Sequence, residues 1–376
     1  MAHFPSSPPE DCADSPGMIQ GQRPDGTLDL DASMETLQRY NDLWFTDGSI
    51  ILRAENTLFR VHMSQLSRRS GFFRDMFSLP QPCADLASDT DFLEGCPVLR
   101  LHDAAEDLIN LLKAIYDGPT FGNHDRNDFR LVSGVMRLAT KYLIDSLRKR
   151  ALAHLSIPWP STLKGWDARE DIARAYEAER TAHRGHRYPS PIDVINLARE
   201  VDAPELLPAA FYDLSRYHCS QIFEPGPDEP LSGSTELSLA DTRRLALGKE
   251  VSQHAVTALI QGMGQGAPQG SPRHASSSTT LRQRPRGSGQ ICVSAAACRK
   301  DFLELVELAT QHYLFDRERG CADPLYVAEE LGQLKSAEFS ECKACAKSLE
   351  MWAARERERM WKLIPSWFRL ENTGGS

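Results

Sequence analysis

Nowhere in this chain do about 18 to 20 apolar residues run together, the length a helix needs to cross a bilayer, so no membrane span is expected. An excess of basic residues is also missing. The formal net charge is −9, which argues against bulk nucleic-acid binding, where a basic footprint would stand out. The opening residues Met1-Ala-His-Phe-Pro-Ser-Ser-Pro-Pro-Glu-Asp hold no basic stretch followed by an apolar core, so no secretory signal is expected. Cysteines number nine, an odd count, and they are scattered. No disulfide framework follows from them, and they read as reduced thiols of an intracellular protein, nuclear or cytoplasmic. There is no Gly-x-Ser-x-Gly elbow, no internal repeat and no carboxylate pair in an apolar setting that would raise a pKa. What remains is ordinary for a soluble chain: 376 residues, 41% hydrophobic and 25% charged, enough for two or three domains.

The most informative stretch runs from Asp47 to Phe77. Ile50 and Leu52 alternate with Ile51 and Arg53, and Phe59 and Val61 alternate with Leu58, Arg60 and His62. Period-two alternation predicts two half-buried strands. Glu55-Asn56 lies between them, with Asn tolerating the left-handed backbone of a short hairpin. Beyond His62 the spacing of Leu66, Phe73, Met76 and Phe77 is helical, and Gly71 predicts a break between two short helices.

Residues 1–32 are rich in Pro, Ser, Gly and Asp and predict a disordered lead-in. Leu37, Tyr40, Leu43 and Trp44 predict a helical turn or two, and Val98–His102 a third strand after a loop from Leu79 to Gly95. Two apolar stripes follow: Leu108, Leu111, Leu112, Ile115 and Tyr116, then Leu131, Val135, Leu138, Ala139 and Tyr142. A further helix from about Asp145 ends near Pro158-Trp-Pro160. The second half predicts helices over Ile192–Ala198, with Pro191 in the first turn, over Pro204–Leu214 and over Asp241–Met263. Helical spacing returns around Phe302–Tyr313 and Leu349–Trp361.

The order strand, strand, helix pair, strand, helix, helix, carrying Asp47, His62, Ser70, Phe73, Met76 and Phe77, resembles a BTB/POZ domain over roughly residues 40 to 156. The runs Leu43–Gly48 and Glu94–Leu101 are similar to the expanded fungal BTB set, as are Val194–Glu200 and Leu206–Phe211. The resemblance implies an α+β class: a short three-stranded sheet capped by helices, then an all-α domain. The expected boundaries are a BTB/POZ domain over 33–157, a helical domain in two parts over 158–263 and 291–370, a disordered linker over 264–290 and a tail over 371–376.

It also implies a non-catalytic interaction module, a homodimerising adaptor or scaffold whose partners are a second copy and other proteins. Leu37, Tyr40, Leu43, Trp44 and Phe45 form an apolar group ahead of the first core strand, and a two-fold dimer would cover it. Family members often carry a basic residue after the histidine matching His62, near the aspartate matching Asp47; Met63 stands there instead. His62 is expected as a core histidine satisfying a backbone group. Phe92-Leu93-Glu94 fits the short pattern that some adaptors use to recruit a cullin-3 ubiquitin ligase, through Phe92 and Glu94; as an ordinary loop, Phe92 would tuck onto the core.

Other constellations mimic chemistry. Cys342-Lys-Ala-Cys345 has the spacing of half a zinc knuckle, but Cys292, Cys298, Cys321 and His312 supply no second tight pair, so no metal and no cofactor are expected. Gly262-Met-Gly264-Gln-Gly266 follows a helix rather than a strand and reads as linker. Arg282-Gln-Arg284-Pro-Arg286 beside Ser276–Thr280 reads as a solvated tract. Arg355–Arg359, ahead of Trp361, Trp367 and Phe368, reads as a solvated face with an apolar edge. Two other classes stand beside the adaptor: a nuclear transcription regulator that recruits partners through its BTB part, and a zinc-binding helical domain built on Cys342 and Cys345.

Overall fold

The computed structural model describes residues 37–79, 92–179, 187–224, 236–265, 292, 294–315, 322–334 and 342–370. The lead-in 1–32, the linker beyond residue 265, the basic tract, the tail and residues 80–91 of the loop lie outside them.

The amino-terminal half is α+β. The predicted hairpin is β2 (Ile50–Ala54) and β3 (Thr57–Val61), antiparallel with Leu52 opposite Phe59. Glu55 takes the left-handed turn position (φ 51°). A helix pair follows, α1 (Met63–Arg69) and α2 (Gly71–Ser78), and β5 (Cys96–Leu101) then pairs in parallel with β2. Next come α3 (Ala105–Tyr116), α4 (Arg126–Lys141) and α5 (Asp145–Leu155).

Two strands went unpredicted, and one overturns a predicted helix. Gln38–Trp44 is strand β1, parallel to β3, with Arg39 opposite Leu58 but Trp44 opposite Arg60. Three extra residues therefore bulge out of the ladder. The bulge breaks the period of two and turns Tyr40 and Leu43 to the same core, which mimics helical spacing. Phe92–Leu93, expected as loop, is strand β4, joined to β5 by a turn at Glu94 and Gly95 (φ 50° and 74°). Positive φ at both turn residues is the primed hairpin geometry.

The five strands run β1-β3-β2-β5-β4. The sheet curls, so Glu94 at one end reaches Arg39 on β1 and Arg60 on β3 (2.5 and 3.3 Å). This closure explains why β2 is buried on both faces rather than half-buried. Ile50, Leu52, Phe59 and Val61 meet the helices, while Ile51, Leu58 and Cys96 pack with Trp44, Leu93 and Val98 inside the curl.

The second half is helical: α6 (Leu163–Glu179), α7 (Pro191–Glu200), a 3-10 turn (Pro204–Leu206), α8 (Leu207–Ser215), α9 (Cys219–Phe223), α10 (Leu239–Gln265), α11 (Ala295–Thr310) ending in a π turn (Gln311–Phe315), α12 (Pro324–Gly332) and α13 (Lys343–Trp367). The two cores share α4 and α5. Val135, Leu138 and Leu147 face the sheet side, whereas Val132, Met136, Ala151 and Leu155 join the helical core with Trp159. Among the described residues no helix is long and apolar enough to cross a membrane.

Candidate functional site

Among the described residues, three of the places that gather polar or reactive side chains stand out. The first contains the residues that carry the family resemblance. His62 closes β3, and its ring lies 2.9 Å from the Tyr116 hydroxyl through Nδ1 and 3.2 Å from Asp47 through Nε2. Its partners are thus side chains, a correction to the expected backbone contact, although the His62 amide also donates to Tyr116 Oη. The hydrogen bond from His62 holds the exposed Asp47 carboxyl below its ordinary range, and burial pushes Tyr116 up. Phe45 stacks on Tyr116 at 4.7 Å. Ser70 caps α2, accepting from the Phe73 amide and donating to the Tyr142 carbonyl. Phe73 stacks on Tyr142 and Phe77, and Met76 and Phe77 pack at the edge of the same core.

The residues expected at a dimer interface divide. Leu43 is 3% exposed within its own core, Leu37 is 48% exposed, and Tyr40, Trp44 and Phe45 are half-buried. Phe92, expected to tuck onto the core if the loop were ordinary, is 46% exposed, while Glu94 is engaged by the two arginines.

The second place is an ionic cluster between α6, α8 and the start of α12. The Arg169 guanidinium lies over the rings of Trp159, Trp166 and Tyr188 at 4.9, 4.6 and 4.8 Å and bonds Asp213 at 2.5 Å. Arg216 bonds Glu170, Asp213 and Asp323. Tyr212 donates to Asp323, which caps α12. Burial alone would raise the Asp213 carboxyl, but Arg169 and Arg216 outweigh it and hold it low. Arg169, Glu170, Tyr188, Asp213, Arg216 and Asp323 line a cavity of about 290 Å³, with Glu177 and His218 also in its wall. Each carboxylate of the cluster has a guanidinium beside it.

The third place is the carboxyl-terminal cysteine group. Ser294 caps α11 and Cys298 sits one turn inside it, with Cys292 two residues ahead of the cap. Cys342 is the N-cap residue of α13 and Cys345 lies three further on; the backbone at a helix start brings those two positions to one side. The four Sγ atoms lie within 4.8 Å of one another, with Cys292 3.6 Å from Cys298 and 3.7 Å from Cys345. Burial pushes the Cys298 thiol up to about 11 and Cys345 up as well. No second tight pair exists in the sequence, but the fold supplies a second pair in space. The partner of Cys342 and Cys345 is Cys292 with Cys298, separated by five residues and so not a tight motif. His312 is exposed and outside the group, and Cys321 lies outside the described residues.

Two further sequence readings change. Arg357, placed on a solvated face, is bonded to Asp167 and Glu329, and the expected apolar edge of Trp361, Trp367 and Phe368 is buried in its own chain. Gly262 lies inside α10 rather than in a linker. No protein-family model matches the chain, and a search of curated proteins finds no match.

Proposed function

We propose that the protein is a non-catalytic interaction module, a self-associating adaptor or scaffold with a BTB/POZ-like amino-terminal domain. The observation that carries this reading is the element order of that half. A strand hairpin, a helix pair with Ser70 at its junction, a third strand parallel to the first of the hairpin and then α3 and the α4–α5 pair follow the sequence that the resemblance implies. Support also comes from the surface. Leu37 stands exposed at the head of β1, the end strand of the sheet, and Phe92 stands exposed at the other end. End strands with apolar neighbours are surfaces that another chain covers. Partner recruitment through Phe92, including a cullin-3 ligase, uses the second of these.

The test is the oligomeric state of the full chain by sedimentation equilibrium. A dimer is expected, with Leu37→Asp shifting it to monomer while circular dichroism stays unchanged. Leu43 is unsuited to this test, because a polar group there would unfold the subunit that buries it. A monomer at every concentration up to about 100 μM, a range in which specific interfaces of standard size associate, would reject self-association.

A further inference from the structure

We propose that Cys292, Cys298, Cys342 and Cys345 form a closed tetrathiolate site for one structural zinc ion, which ties the entry of α11 to the first turn of α13. A zinc–sulfur bond of about 2.3 Å in a tetrahedron sets neighbouring sulfurs about 3.8 Å apart. The two sulfur pairs at 3.6 and 3.7 Å have that spacing. A disulfide would need about 2.05 Å. Four converging thiols from three separate places in the sequence are more than apolar filling requires, since small side chains such as Ala would occupy the same core positions on α11 and α13 without converging their tips.

The local backbone adds a second, independent argument. Cys342 takes the N-cap position of α13, where Ser, Thr, Asp or Asn is usual, and makes no side-chain cap hydrogen bond. Its sulfur is directed at the other three instead. Zinc held by four thiolates carries a net charge of −2, and both α11 and α13 begin at the site. Their positive ends therefore face a dianion, the favourable arrangement for helix dipoles. Three of the four cysteines are buried and Cys292 is half-buried, so the site offers no open position for a substrate water. That closure assigns the ion to folding rather than catalysis. Soft sulfur donors in a tetrahedral set select zinc over magnesium or calcium.

The ion would close a loop of more than forty residues between Cys298 and Cys342. The amino-terminal half takes no part, so the assignment stands whether or not the chain self-associates.

The full chain, purified without chelator and with any histidine tag removed, is analysed for metals by mass spectrometry and by X-ray absorption at the zinc edge. The expected result is about one zinc per chain with four sulfur neighbours at about 2.3 Å. Cys345→Ser and Cys298→Ala lose the zinc, whereas Cys96→Ser and Cys219→Ser, away from the group, keep it. In case the ligand variants fail to fold, the unmodified protein is exchanged into cobalt. Visible bands of a tetrathiolate cobalt centre then support the site, as does protection of four thiols from alkylation until a chelator is added. A chain with no bound metal, with iron in place of zinc, with nitrogen or oxygen neighbours, or with these cysteines joined as disulfides overturns the proposal.

Discussion

Arg169 and Asp213 meet at 2.5 Å with only 4% of each side chain exposed. The pair is the most buried part of the ionic cluster between α6, α8 and α12, and both partners are further committed: Arg169 to three aromatic rings and Glu170, Asp213 to Arg216. Removing one member leaves the other, buried and desolvated, short of one of its two counter-charges. Asp213→Leu or Arg169→Met should each cost about 3–5 kcal/mol in urea unfolding, while the double variant should cost less than the sum. Additive losses would show that the two act independently. The depressed Asp213 carboxyl gives the pair a pH signature too. Its contribution is present above the ordinary carboxylate pKa of about 3.9 and is lost as the pH falls through the lower folded value.

Helix α6, which carries Arg169, shows why some of this fold was legible in the sequence and some was not. The sequence announces α3 and α4 because apolar residues at helical spacing dominate their inward faces. The inward face of α6 includes an arginine, so no apolar stripe marks it, and the only local signal is Thr162, whose hydroxyl accepts from the Gly165 amide at its start. Strand β1 was hidden for a different reason, since its bulge gives Tyr40 and Leu43 the spacing of a helix. The cysteine group was half legible. Cys342 and Cys345 share one helix start and show as a motif, whereas Cys292 and Cys298 join them only through tertiary folding. The hairpin and the helix pair behind it were readable as elements because their periodicities and breaks are local, whereas the burial of β2 on both faces and the tie of Ser70 to Tyr142 come from the tertiary fold.

Ser70 is the hinge of that helix pair. Its hydroxyl donates to the Tyr142 carbonyl at 2.6 Å and accepts from the Phe73 amide at 3.0 Å, in a position with no exposure. Ser70→Ala leaves a buried donor and a buried acceptor unsatisfied and should lower stability by about 1–3 kcal/mol. Thermal unfolding of the full chain measures it. Ser70→Thr, which keeps the hydroxyl, should recover part of the loss, and no loss with Ala would mean that water replaces both bonds.

His124 should make the chain sensitive to mild acid. Burial holds its pKa below the ordinary histidine value, aided by His154, whose ring stacks on it at 3.8 Å, and by Arg187. The His154 carbonyl, 3.2 Å from Nδ1 of His124, and then Asp128 pull the other way without cancelling them. A group whose folded pKa is depressed binds more protons when unfolded, so stability should be full above the free value of about 6.5 and fall as the pH drops below it. His124→Asn removes the titration and keeps a residue tolerant of the positive φ found there (60°). The variant's melting temperature should therefore decline less than the unmodified chain's between pH 7 and 5. Parallel profiles would place the acid sensitivity elsewhere.

Gly248 lies inside α10, where an alanine would ordinarily favour the helix by about 1 kcal/mol. Here a Cβ would stand 1.9 Å from Cε1 of Phe368 and 2.1 Å from Cδ1. The ring has nowhere to retreat, being fully buried and stacked at 5.3 Å on Phe211 behind it. Overpacking should outweigh the helix gain, so Gly248→Ala should destabilise the chain by about 1–3 kcal/mol. The sign should reverse where Phe368 is already alanine, because the clash is gone and only the backbone preference remains. A double-mutant cycle in urea separates the two effects. If alanine at position 248 is neutral with Phe368 present, the end of α13 does not pack on α10, and the burial of Phe368 against α8 needs another explanation.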